Sequence, residues 1–195
     1  MKKGTKILIG VIAAIVILIL LIAGSAISNY NGLVTAHEEV VAAEANIDTY
    51  LQRRADLIPN VVATVKDFAK HETEVYDRVL EAREKLVGAD TVAEKAEANE
   101  ELTSALQGLT VIVENYPELK SDATYVSLMD ELEGSENRIA TARKDYNDTV
   151  QSYNNKVIKF PGSIYASIFG FEKAEYFEAE EGAETAPDVE SLLGD

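Results

Sequence analysis

The sequence predicts an all-α protein in which an N-terminal transmembrane helix is continuous with an elongated antiparallel four-helix bundle. Three observations carry this. An uninterrupted apolar run lies near the N-terminus, and apolar residues recur every three or four positions through most of the remainder. The composition is helical, with 4 Pro, 11 Gly and no Trp in 195 residues. Cys is absent, which removes a disulfide framework, a thiol nucleophile and cysteine-based metal sites.

The first element is the anchor, in a domain spanning residues 1–27. Residues 7–27 are apolar or small, and at the rise of an α-helix they make ~31 Å, the thickness of a bilayer core. A cleaved signal peptide is the rival reading, because Gly24-Ser25-Ala26 offers small residues at a cleavage position. The apolar core is long for a signal peptide and the next segment continues in helical phase, so a retained span is expected. Lys2, Lys3 and Lys6 precede the run and no Lys or Arg follows until Arg53. The positive-inside rule then puts the N-terminus in the cytoplasm and the body outside. Gly10 and Ala14 have the spacing of a helix-dimerisation pair, a pattern that also arises by chance. The oligomeric state is left open.

The body is acidic. Without the three N-terminal lysines, 15 of the 18 basic residues face all 34 acidic ones, a balance of −19. Such a charge disfavours nucleic acid and anionic lipid surfaces as partners.

Four helices are expected in a bundle over residues 28–171. Leu33, Val40 and Ile47 set a heptad row for a helix at 28–52, continuous with the span. Ile58, Val61, Val65, Phe68, Val75, Val79, Ala82 and Leu86 form a narrow seam for a helix at 56–87. That helix would open with Asp56 as N-cap and Pro59 in its first turn. Thr91-Val92-Ala93-Glu94 is a capping box for a helix at 91–115, broken by Tyr116-Pro117. Tyr125, Leu132, Ile139, Tyr146 and Tyr153 recur every seven residues along a helix at 122–158, with Met129, Val150 and Val157 on a companion row. Phe160-Pro161-Gly162 ends it. A short helix at 163–169, capped by Ser163 and stopped by Gly170, follows. Residues 172–195 form an acidic tail that is mostly disordered by composition, except that Tyr176 and Phe177 should fold back onto the bundle.

The segment Leu51-Gln52-Arg53-Arg54-Ala55-Asp56-Leu57-Ile58-Pro59-Asn60-Val61-Val62 resembles the signature of the LemA family of bacterial membrane proteins. Tyr30-Asn31-Gly32-Leu33-Val34, His71-Glu72, Ala82-Arg83 and Tyr116-Pro117-Glu118-Leu119-Lys120 agree in order. So do Glu136-Asn137-Arg138-Ile139-Ala140, Ala142-Arg143, Tyr146-Asn147, Tyr153-Asn154 and Phe160-Pro161. The resemblance runs from about residue 7 to about 178 and omits only the acidic tail. It implies a membrane helix followed by antiparallel helices; no catalytic activity is established for the family as a class, so the resemblance leaves function open.

Charged residues on or beside the seams are the candidate site. Glu72, Glu136 and Arg143 stand on apolar rows, and Arg53, Arg54 and Arg83 lie beside helix junctions or seams. Burying such groups unpaired is costly, so they should pair. Arg143 is expected to meet a carboxylate of a neighbouring helix, Glu72 first. The layer fixes helix register in one reading and forms a small-ligand or anion pocket in the other.

No metal or other cofactor is expected. His37 and His71 lack the Glu-x-x-His spacing of di-metal bundles, and neither a catalytic triad, a nucleophile elbow nor a phosphate loop is present. The expected function is therefore a scaffold or adaptor presenting a bundle surface to another envelope protein, with a small-ligand sensor as the alternative and no enzyme chemistry.

Overall fold

The computed structural model describes residues 3–177. These contain six helices and no strand: α1 (Lys3–Phe68), α2 (Thr73–Val87), α3 (Val92–Glu114), α4 (Pro117–Lys120), α5 (Ala123–Ile158) and α6 (Gly162–Phe169). The acidic tail beyond Phe177 lies outside the described residues.

The chain divides into two compact units. Among the described residues, one comprises residues 3–43 and 147–175, the other residues 44–146 with 176 and 177. Helices α1 and α5 each contribute to both.

In the first unit, every side chain from Leu8 to Gly24 is exposed, with Leu20 and Leu21 each at 66%. This part of α1 is long and apolar enough to cross a membrane. Covering begins at Ser25 and Ala26. Further along α1, Leu33, Ala36 and Val40 are buried at helical spacing, as are Val150, Tyr153 and Val157 of α5 and Ala166 of α6.

The turn into α6 needs glycine at 162, since a Cβ there would collide with the Lys156 carbonyl oxygen. Gly170 ends α6 in the left-handed region at φ 75°, a conformation that a side chain disfavours. Ser163 is not the cap expected of it; its amide donates to the Lys159 carbonyl at 2.9 Å, still closing the end of α5.

Segment 171–174 is tied down. The Tyr153 hydroxyl donates to the Glu172 carbonyl at 2.7 Å. Asn154 closes a two-bond clamp on Ala174, its amide donating to the carbonyl and its Oδ1 accepting from the N–H, both at 2.9 Å. Order therefore reaches past residue 172, where composition alone put the start of the tail.

In the second unit, α1 enters with Ile47, Leu51, Ala55, Ile58, Val61 and Val65 buried. Contacts fix directions. Ala55 meets Arg83 while Ala69 meets Tyr76, so α2 runs antiparallel to α1. Lys85 meets Glu101 at 2.6 Å while Val75 faces Gly108, so α3 runs antiparallel to α2. The capping box of α3 forms as its sequence requires, with Glu94 N–H on Thr91 Oγ1 at 3.2 Å and Thr91 N–H on Glu94 Oε2 at 3.0 Å. Lys95 then ties α3 to α1 through Glu44 at 2.9 Å and Asp48 at 2.7 Å.

Helix boundaries differ from the sequence reading on both sides of residue 60, and the short α4 lies between residues 115 and 122, where no helix is expected. No break separates residues 52 and 56: α1 runs through them to Phe68, and Asp56 is not an N-cap but accepts from Gln52 Nε2 at 2.8 Å one turn earlier. Pro59 therefore sits inside a helix, where its missing N–H orphans the carbonyl of Ala55 four residues back. That carbonyl is on a fully buried residue, and Arg83 Nε of α2 donates to it at 2.9 Å. A guanidinium from the next helix thus supplies the donor that proline lacks.

The break falls instead at residues 69–72, which contain neither Gly nor Pro. Here the buried Tyr76 hydroxyl of α2 donates to the Ala69 carbonyl at 2.5 Å and so satisfies an end carbonyl of α1. Burial, then the charges of Glu72 and Tyr116, push the Tyr76 hydroxyl pKa up, so it stays a donor.

Candidate functional site: a buried arginine layer

The structure brings Arg54, Asn99, Thr103 and Glu136 together from α1, α3 and α5, and only Arg54 and Glu136 were signalled by charge in the sequence. Arg54 is 4% exposed. Its Nη1 donates to Asn99 Oδ1 at 2.5 Å and its Nη2 to Thr103 Oγ1 at 3.0 Å. The Glu136 carboxylate forms an ion pair with Nη1. Thr103 is held by its own hydroxyl donating to the Asn99 carbonyl at 2.9 Å, which aims its lone pairs at the guanidinium. Its Nε is buried with no hydrogen-bond partner among the described residues.

Burial lowers the Arg54 pKa from its ordinary value, Glu136 opposes the shift, and Arg143 adds to it by like-charge repulsion. Arg143 is therefore near Arg54. Its guanidinium also stacks 4.5 Å over the ring of Phe177, which is 3% exposed. The return of Phe177 to the helices is thus a cation–π contact, while its neighbour Tyr176 stays 46% exposed.

The other candidates lie elsewhere. Arg53 points outward to Glu131 at 3.5 Å, an exposed pair of little energetic weight. Arg83 serves the Ala55 carbonyl. Glu72 does not join the layer, contrary to the expected pairing with Arg143. It sits at the start of α2, beyond ~21 Å of α1 measured from Arg54 to the helix end.

The seam on α5 also shifts. Tyr125, Leu132, Ile139 and Tyr146 are buried as the heptad row requires, but their companions are Ser135 and Ala142. Glu136 and Arg143, one position later, fall on the flank, half-buried. The reason is geometric: 3.6 residues per turn do not divide seven, and the companion row steps back into phase only at Val150.

Asn99 and Thr103 carry no mark in the sequence because isolated polar residues are ordinary in a helix rich in Ala and Glu. Their i, i+4 spacing on the face of Leu102 was the available signal. His37 and His71 are both exposed. Among the described residues, no group of three or more His, Asp or Glu side chains is placed to hold a metal ion.

The chain is 30% identical to "Magnetosome protein MamQ 2" of Paramagnetospirillum magneticum over 182 residues, covering 80% of this chain and 67% of the relative. It is 29% identical to "Magnetosome protein MamQ" of Magnetospirillum gryphiswaldense over the same length and shares. "Protein LemA" of Metamycoplasma hominis is 23% identical over 152 residues, 77% of this chain and 69% of the relative. The LemA family model matches residues 43–190, so it begins after the apolar span and reaches into the acidic tail that the motif resemblance omitted. These relatives and the apolar N-terminal part of α1 support a membrane-associated helical protein. With more than half its length matched, the chain belongs to the LemA family.

Proposed function

We propose that this protein is a non-catalytic scaffold, held in the membrane by the first part of α1, with a helical body that presents its surface to another envelope protein. The observation that carries the reading is the state of Arg54. The most buried charge of the body is engaged by side chains from two other helices, as a residue that fixes helix register is. A recognition pocket would instead keep its guanidinium open to a ligand. The magnetosome names of the relatives support a membrane setting. The lysines before the span support a cytoplasmic N-terminus with the body on the other side.

Cross-linking in intact cells, followed by identification of co-purified membrane proteins, tests the adaptor role. A discrete envelope protein recovered with the parent chain supports it. Recovery of this chain alone refutes it. Protease added to spheroplasts should digest the chain beyond Tyr30, and protection until lysis would reverse the orientation.

A further inference from the structure

We propose that the turn around Phe160 together with α6 forms a second membrane contact, seated at the headgroup–acyl boundary of the leaflet from which α1 emerges. The inference rests on the anchor reading above and adds a lipid-facing surface at the C-terminal end of the helical chain.

Placement comes first. The Tyr165 hydroxyl of α6 donates to Ser25 Oγ at 3.0 Å, and Ser25 lies within the apolar run of α1. One turn later on both helices, the Phe169 ring meets Tyr30 edge-on with centroids 4.9 Å apart. The two helices therefore run side by side in the same sense. Gly162, three residues before Tyr165, lies ~4.5 Å further toward the span, and the Phe160 turn precedes it. If residues 8–24 are in a bilayer, this turn is at its surface or below.

Surface chemistry comes second. Phe160 is 81% exposed, Ile168 67%, Ile158 51% and Ile164 50%. Ile164 and Ile168 share a face at i, i+4. Water would hydrate this apolar surface at a cost, whereas acyl chains would not. Although the chain has 34 acidic residues, none falls between 156 and 171, and that stretch carries Lys156 and Lys159, both exposed. Lysines beside an apolar turn can keep their ammonium groups at headgroup level while their stems lie against lipid. Apolar residues on one face with lysines at the edge are the pattern of an interfacial element. The net acidity of the body disfavours anionic lipid as a whole, but this stretch is locally basic.

The absence of Trp makes the test direct. Phe160→Trp and Ile168→Trp, each in the full chain, are reconstituted in vesicles of mixed phosphatidylcholine and phosphatidylglycerol, with or without brominated acyl chains. Leu18→Trp serves as the reference for the anchor. The proposal expects blue-shifted emission at 160 and 168, strong loss of that emission in brominated lipid, and protection from an aqueous quencher. Two reporters are used so that a folding defect in one leaves the other to decide. If Leu18→Trp is quenched by bromines but 160 and 168 emit as in water, the anchor stands and this inference falls. Blue-shifted emission that bromines do not quench means that protein, a second copy included, covers the face, and also overturns it. An unquenched Leu18→Trp would instead refute the anchor itself.

Discussion

Arg83→Met should destabilise the body, and Pro59→Ala should remove much of that effect. The Ala55 carbonyl is on a fully buried residue and receives its donor from Arg83 Nε at 2.9 Å, because Pro59 has no N–H to give. Methionine keeps most of the apolar stem but removes the donor, and an orphaned buried carbonyl costs about 1–3 kcal/mol. Alanine at 59 restores the intrahelical donor and removes a residue that disfavours helix interiors by about 3 kcal/mol, so the single Pro59→Ala variant should be neutral or more stable. In the Pro59→Ala background, Arg83→Met then has little left to cost. The coupling should be about 1–2 kcal/mol, within the range for residues sharing one partner. Thermal and urea unfolding of the chain from Ser28 onward, followed by far-UV circular dichroism, measures all four corners. At this size 1 kcal/mol corresponds to roughly 2–4 °C in Tm. Additivity within about 0.3 kcal/mol would refute the claim that Arg83 stands in for the proline's missing amide.

Three other outcomes are expected. Glu136→Leu leaves the Arg54 guanidinium buried beside Arg143 and should cost toward the lower end of about 3–5 kcal/mol, since Glu136 keeps some solvent; adding Arg54→Met should recover much of it, and a denaturation series in which the double variant is worse than the single would contradict the layer as described. Asn154→Leu removes both clamp bonds to Ala174, and at ~1 kcal/mol each amide exchange at residues 172–174 should accelerate while exchange in α5 changes little; unchanged protection would mean that the segment is held by other contacts. Backbone hydrogen bonds from Thr91 and Asp90 lower the pKa of Glu94 from its ordinary value. A depressed folded pKa contributes stability above the unfolded value and loses it as pH falls through the folded one. The melting difference between the parent and Glu94→Gln should therefore shrink on acidification through that window, and a difference independent of pH would show that the carboxylate charge contributes nothing.

Much of the fold was legible because it depends on local rules. The apolar run of residues 7–27, the capping box at Thr91 and Glu94, the row Tyr125, Leu132, Ile139 and Tyr146, and the glycine stop at 170 all express propensity and period. The charged candidates were legible only as candidates. Sequence showed that Arg54 and Glu136 need partners, but a partner is a residue of another helix, and Asn99 and Thr103 carry no mark of that role. A single residue, about 100° of rotation, separates the buried Ser135 and Ala142 from the flanking Glu136 and Arg143 on α5, and a strict seven-residue row drifts by about 20° per repeat, so the period alone does not resolve seam from flank.

Composition, periodicity and capping motifs by themselves determined that this chain is helical, that it begins with one membrane-length span, and where most of its apolar faces lie. Tertiary structure alone decided where α1 ends. Asp56 and Pro59 signal a helix start in any local reading, yet the helix continues because Arg83 of α2 satisfies the carbonyl that proline abandons. Residues 69–72 carry no breaker, yet the helix stops there, where the Tyr76 hydroxyl can satisfy an end carbonyl. In both places a backbone group buried from water must find a donor, and which donor reaches it depends on the neighbouring helix rather than on the local sequence.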